Sequence, residues 1–109
     1  MASESDIISF LHDVKTADKI IFINTDKNRR TRLSLGIQTE DMEDIIRGLN
    51  KDEYYDGPLE DRDPLKPGKL WIFKHHCFGH LLYIKLKEKI IIDNKIIVKC
   101  LSCHIDFII

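Results

Sequence analysis

Tyr83, Lys85, Ser102 and His104 are residue types that handle a phosphodiester, and one assumption brings them together. Asp93 and Asn94 both tolerate positive φ, so they suit a two-residue hairpin turn. Strands pairing on either side of that turn set Tyr83 opposite His104 and Lys85 opposite Ser102. Side chains alternate along a strand, so Tyr83, Lys85 and Lys87 share a face with Cys100, Ser102, His104 and Asp106. Leu82, Ile84 and Leu86 point the other way with Leu101, Cys103 and Ile105. A one-residue slip would misplace the whole apolar set, so the pattern itself favours this register.

A wet sheet face carrying Tyr, Lys, Ser and His suits phosphoryl chemistry. Lysine offers charge to a phosphate, and histidine or tyrosine moves a proton between an attacking hydroxyl and a leaving oxygen. RNA brings its own nucleophile, the 2′-hydroxyl, so neither a covalent enzyme intermediate nor a metal or other cofactor is required. His104, Tyr83 and Lys85 are the candidate catalytic residues. Lys87 and Ser102 extend the face, and Tyr55 and Trp71, like Tyr54, offer rings for stacking on bases. The competing reading is an ordinary solvated face, since an antiparallel sheet commonly has one.

Cys100-Leu101-Ser102-Cys103-His104 has the spelling of a c-type haem attachment site, but it lies in a β pattern and no export signal is expected at Met1–Asp13. A zinc site built from these residues with His75, His76, Cys77 and His80 is disfavoured. Within a regular strand Cys100 and Cys103 point to opposite faces, and no knuckle residue lies near Cys100. The expectation is therefore no metal, with Cys103 packing as a small buried hydrophobe. Three cysteines, an odd number, suit a reduced, cytoplasmic protein.

The elements that must position these residues read as follows. Ser3, Ser5 and Asp6 are candidate caps for a first helix whose Ile7, Ile8, Phe10, Leu11 and Val14 form a stripe. Lys19–Ile23 is short and β-branched, a strand. Asn24–Arg30 reads as a polar turn, with Arg29, Arg30 and Arg32 either solvated or contacting RNA phosphate or an acidic partner. Leu33, Leu35 and Ile37 alternate, as in a short strand or extended loop. Gln38 or Thr39 opens a second helix, and Met42, Ile45, Ile46 and Leu49 give its apolar stripe. Asp52–Lys69, holding all three prolines, reads as one long irregular segment. Strands follow from Leu70 to near Gly79, from Leu81 to Ile92, and from Lys95 to about Phe107. The order predicts one α+β domain over 1–109, an antiparallel β-sheet with two main N-terminal helices packed on one face.

With 43% hydrophobic and 32% charged residues, the chain is neither disordered nor membrane-spanning. Its net charge of -1 taken alone argues against nucleic acid, but the charge is unevenly spread. Residues 1–67 hold 10 basic and 15 acidic residues, whereas residues 68–109 hold 7 basic and 3 acidic. The proposed sheet face lies in the positive part, and the acids concentrate elsewhere, including Asp56, Glu60, Asp61 and Asp63.

The block Met42–Leu49, then Asp52–Pro58, Asp61-Arg62-Asp63, Trp71-Ile72-Phe73, Tyr83-Ile84-Lys85-Leu86 and Ser102-Cys103-His104 resembles the MqsR family of type II toxin–antitoxin toxins. The likeness runs from about Thr39 to the C-terminus; the N-terminal third matches mainly in its pattern of elements. It implies a RelE-like microbial ribonuclease fold and a metal-independent mRNA endonuclease silenced by a cognate antitoxin protein, acting with or without association with the ribosome. The family's functional tyrosine falls on Tyr83 and its late basic residue on His104, with Cys103 in an aromatic position. Two positions depart from the pattern: Asp56 stands where a lysine is expected, and Ile72 where a glutamine is. Those roles are not carried over. The alternative is a degenerate toxin, a non-catalytic module that binds RNA or antitoxin.

Overall fold

A computed structural model describes residues 2–63, 66 and 68–106. Helix α1 (Glu4–Thr16) begins with a capping box, in which the Asp6 amide donates to the Ser3 hydroxyl and the Ser3 amide to the Asp6 carboxylate. It buries Ile7, Phe10, Leu11 and Val14, but Ile8 of the expected stripe lies off that face and is exposed. Strand β1 (Lys19–Phe22) follows, then α2 (Asp26–Leu35) and α3 (Thr39–Arg47), which buries Met42 and Ile46. Arg47 ties α3 to the end of α1. Its guanidinium donates to the carbonyls of Lys15 at 3.1 Å and Ala17 at 3.0 Å, satisfying acceptors that a helix C-terminus leaves open.

After a 3₁₀ turn at Lys51–Glu53 come β2 (Tyr54–Leu59), β3 (Leu70–Cys77), β4 (His80–Lys87), β5 (Ile90–Ile92) and β6 (Lys95–Ile105). The sheet runs β1-β6-β4-β3-β2, with β5 also on β6. Among the described residues only the β1–β6 pairing is parallel. The class is α+β, with three helices and a mixed, mostly antiparallel sheet. The core lies between the sheet and the α1–α3 side, where Phe10 stacks on Trp71 at 4.7 Å and on Phe73 at 6.0 Å.

Four expectations are corrected. First, Asn24–Arg30 is not a turn and Leu33–Ile37 not a strand: Thr25 caps α2, and Gly36 at φ 67 ends it. Helix α2 lacks an apolar stripe because it packs on β6 through polar groups. Asn28 donates to Ile23 and Leu101 carbonyls and accepts from the Cys103 amide at 2.9 Å, and the Thr31 hydroxyl accepts from the Ile105 amide at 3.0 Å. β1 pairs with β6 only as far as Cys100, so these side chains complete the edge that β1 leaves bare.

Second, the long segment after Asp52 is partly a strand. β2 joins the edge through Tyr54, Asp56 and Leu59, with irregular register. Gly57 serves a close approach: at φ +119, a Cβ there would lie 2.8 Å from the Leu70 carbonyl oxygen. Third, the strand drawn from Leu81 to Ile92 breaks after Lys87, giving β4 and β5. The Asp93-Asn94 turn forms, with φ 51 and 65.

Fourth, β6 carries a bulge. Lys85 pairs with Ser102 but Leu86 pairs with Cys100, so Leu101 is one residue too many. The parity flips there. Cys100 turns into the core and Leu101 out of it, the reverse of the regular-strand expectation, while Cys103 and Ile105 stay buried.

Candidate active site

Tyr83 pairs with His104 and Lys85 with Ser102, the register expected from the turn. The Tyr83 and His104 rings stack at 5.3 Å, inclined by 21°. Two-residue turn Phe78-Gly79, both at positive φ, aligns β3 so that Lys74 lies directly opposite Tyr83. The wet face thus gathers Lys74, Tyr83, Lys85, Ser102 and His104 from three adjacent strands, all partly exposed.

Each member has a defined environment. A carbonyl only accepts, so the His104 Nδ1 that lies 3.1 Å from the Ile105 carbonyl oxygen carries a proton. In the neutral ring, Nε2 then holds the lone pair and can take a proton. Burial, reinforced by the negative charge of Asp106, pushes the Tyr83 phenol above its ordinary value, so it keeps its proton and is able to donate it. Lys74 forms an ion pair with Asp106 at 2.9 Å, and its ammonium lies 3.9 Å from the centre of the Tyr55 ring. The hydrogen bond to Asp106 raises the Lys74 pKa and keeps it cationic. Lys85 forms no ion pair with a described residue. The arrangement offers a proton acceptor, a proton donor and two cations on one partly exposed strip of sheet.

Two of the residues expected to bind RNA are placed elsewhere. Trp71 is a core residue, 5% exposed against Phe10, and presents no ring to a base. Its alternation parity belongs to the apolar face, because it neighbours Phe73's side of β3. Lys87 has the parity of the wet face but is covered: it is 6% exposed and forms an ion pair with Asp61 at 2.8 Å. Tyr54 also packs inward, edge-on to Trp71 and Phe73. Tyr55 remains exposed beside Lys74. Of the arginines, Arg29 pairs with Asp26 on the exposed side of α2.

Lys74 was missed from the sequence, and Asp106, placed on this face, was given no role there. The signal was available in the Phe78-Gly79 turn, which fixes the β3–β4 register as Asp93-Asn94 fixes the β6 register. The bulge also removes the opposite-face reason for dismissing Cys100 and Cys103 as joint ligands, because both face the core. Among the described residues, no three His, Cys, Asp or Glu side chains are gathered as a metal site. Burial pushes the Cys103 thiol up to about 12 and the Cys100 thiol well above its ordinary value, so both stay protonated and unreactive. Asp56 lies on β2 opposite Ile72, at the margin of the face. No protein-family model matches the chain, and no curated protein matches it.

Proposed function

We propose that this chain is a metal-independent endoribonuclease with a RelE-like fold, the toxin of a type II toxin–antitoxin pair, acting on mRNA in the cytoplasm and resembling the MqsR family. The observation that carries the reading is the Tyr83–His104 pair with Lys74 across the strand: an acceptor nitrogen, a protonated phenol and a cation on one open face. His104 Nε2 takes the proton of a 2′-hydroxyl. The 2′-oxygen attacks the adjacent phosphorus, and the bond to the 5′-oxygen breaks. Tyr83 gives its proton to that oxygen, leaving a 2′,3′-cyclic phosphate and a 5′-hydroxyl; solvent carries the proton on His104 back to the phenolate. Lys74 and Lys85 offset the charge on the phosphate oxygens, and Ser102 and Tyr55 contact the strand on either side.

Induced expression tests the reading in cells. Growth should stop, co-expression of a neighbouring antitoxin gene should restore it, and His104→Ala or Tyr83→Phe should abolish the arrest. Arrest by the variants as strong as by the unaltered chain contradicts the assigned site. A second reading, a binding module without catalysis, is favoured by the carboxylates: Asp106 neutralises Lys74, and Asp56 adds negative charge near Tyr83. It predicts no arrest and a stable complex with the antitoxin.

A further inference from the structure

Next to the Lys85–Ser102 pair the same face opens into a cavity of about 440 Å³, within the ~300–1,000 Å³ range of small-ligand sites. Its apolar wall comes from three elements: Ile23 after β1, Ile90 of β5 and Leu101 of β6. The bulge creates it, since Leu101 would otherwise point into the core. The polar side holds Lys99, Lys66, Glu88 and the Lys87–Asp61 pair. Lys99 forms no ion pair with a described residue, so its charge is open to a ligand.

The cavity is in line with the candidate site. Along β4, Tyr83, Lys85 and Lys87 follow one another on the wet face, each step about 6.6 Å. That step is comparable to the spacing of successive phosphates in an extended strand. A phosphate held at Tyr83 and His104 places the next at Lys85 and Ser102, and the nucleotide beyond reaches the cavity.

We infer that this cavity binds the base of a single-stranded nucleotide two positions from the phosphate at Tyr83 and His104, with Lys99 on its phosphate. Ile23, Ile90 and Leu101 cover the flat faces of the base, and the carboxylate of Asp61 and the ammonium of Lys87 meet its edge. Lys87, lost as a phosphate contact by its pairing, thereby serves as part of a base-reading wall. The identity of the ligand rests on the ribonuclease reading.

Methyl-labelled protein, observed by NMR, is titrated with the uncleavable pentamers d(ACACA) and d(GTGTG) and with an abasic pentamer of the same backbone. At least one base-bearing strand should shift the Ile23, Ile90 and Leu101 methyls, and the abasic strand should leave them unmoved. Leu101→Trp should weaken that strand about tenfold, the loss expected for one base contact, and Lys99→Ala should also weaken it. Methyls that no strand moves, or that the abasic strand moves equally, overturn the inference whether or not the variants fold. Cleavage of the matching RNA pentamers by the same preparation separates the two readings. Methyl shifts without cleavage keep the cavity and remove the nuclease, and cleavage without methyl shifts does the reverse.

Discussion

His104 and Tyr83 divide the proton work because their surroundings differ. The Ile105 carbonyl oxygen fixes which histidine nitrogen carries hydrogen, and burial with nearby Asp106 keeps the phenol protonated. His104→Ala and Tyr83→Phe should each lower kcat on an RNA oligonucleotide by ~10²–10⁴, the usual worth of a positioned acid or base. Lys74→Ala should lower it by ~10²–10³, as for loss of one oxyanion donor, whereas Lys87→Met, which removes a base-edge contact but no phosphate contact, should lower kcat/KM by no more than about tenfold and should lower stability. A Lys87→Met variant as inactive as His104→Ala would contradict the placement of Lys87 outside the phosphate site. At this scale the sequence was informative where alternation was clean: Tyr83, Lys85, Ser102 and His104 all lie where the turn residues predicted. It misled at Trp71 and Lys87, whose availability depends on what covers them, helix α1 through Phe10 and the Asp61 segment respectively. Neither cover is encoded in local spacing.

The β6 segment that carries Ser102 and His104 is held on its free edge by α2 rather than by another strand. Asn28 serves Leu101 and Cys103, and Thr31 serves Ile105. Removing these side chains strands buried backbone groups, at ~1–3 kcal/mol for each. Asn28→Ala should therefore cost about 3 kcal/mol in urea unfolding, and Thr31→Val about 1–2 kcal/mol. Loss of a few tenths only would show that β1 alone secures the edge. Gly57→Ala should also destabilise, since the added Cβ meets the Leu70 carbonyl at 2.8 Å on a backbone at φ +119. The elements built on apolar periodicity, α1, α3, β4 and most of β6, were legible in the sequence. Helix α2 was not, because its buried face is polar, and β2 was not, because glycine, proline and acids disguise an edge strand. The bulge at Leu101 was likewise invisible, since a strand pattern read at period two has no place for an extra residue.

For the whole molecule, the net charge of -1 conceals a face with Lys74, Lys85, Lys99 and His104 and a counter-population of acids, several of them paired to lysines. No described helix is long and apolar enough to cross a membrane. The buried thiols set an alkaline limit on stability. Cys103 titrates near 9.0 when unfolded but at about 12 when folded, so between those values the unfolded chain binds fewer protons and stability falls as pH rises. The contribution is intact below pH 9.0 and reaches a loss of about 4 kcal/mol near pH 12; Cys100 acts in the same direction. Urea midpoints should drop between about pH 8 and about pH 10.5, and Cys103→Ala should flatten the drop; an unchanged slope would show the thiol is not shielded as described. A face that activates the 2′-hydroxyl of RNA leaves its signature in the ends of the products. Purified protein in the presence of chelator is incubated with a single-stranded RNA and with its 2′-deoxy counterpart, and the ends are identified by mass spectrometry. The expected result is 2′,3′-cyclic phosphate and 5′-hydroxyl ends from the RNA alone, formed at least ~10²-fold more slowly by His104→Ala. An intact RNA, equal cleavage of the 2′-deoxy strand, or a His104→Ala variant as fast as the unaltered chain would contradict it.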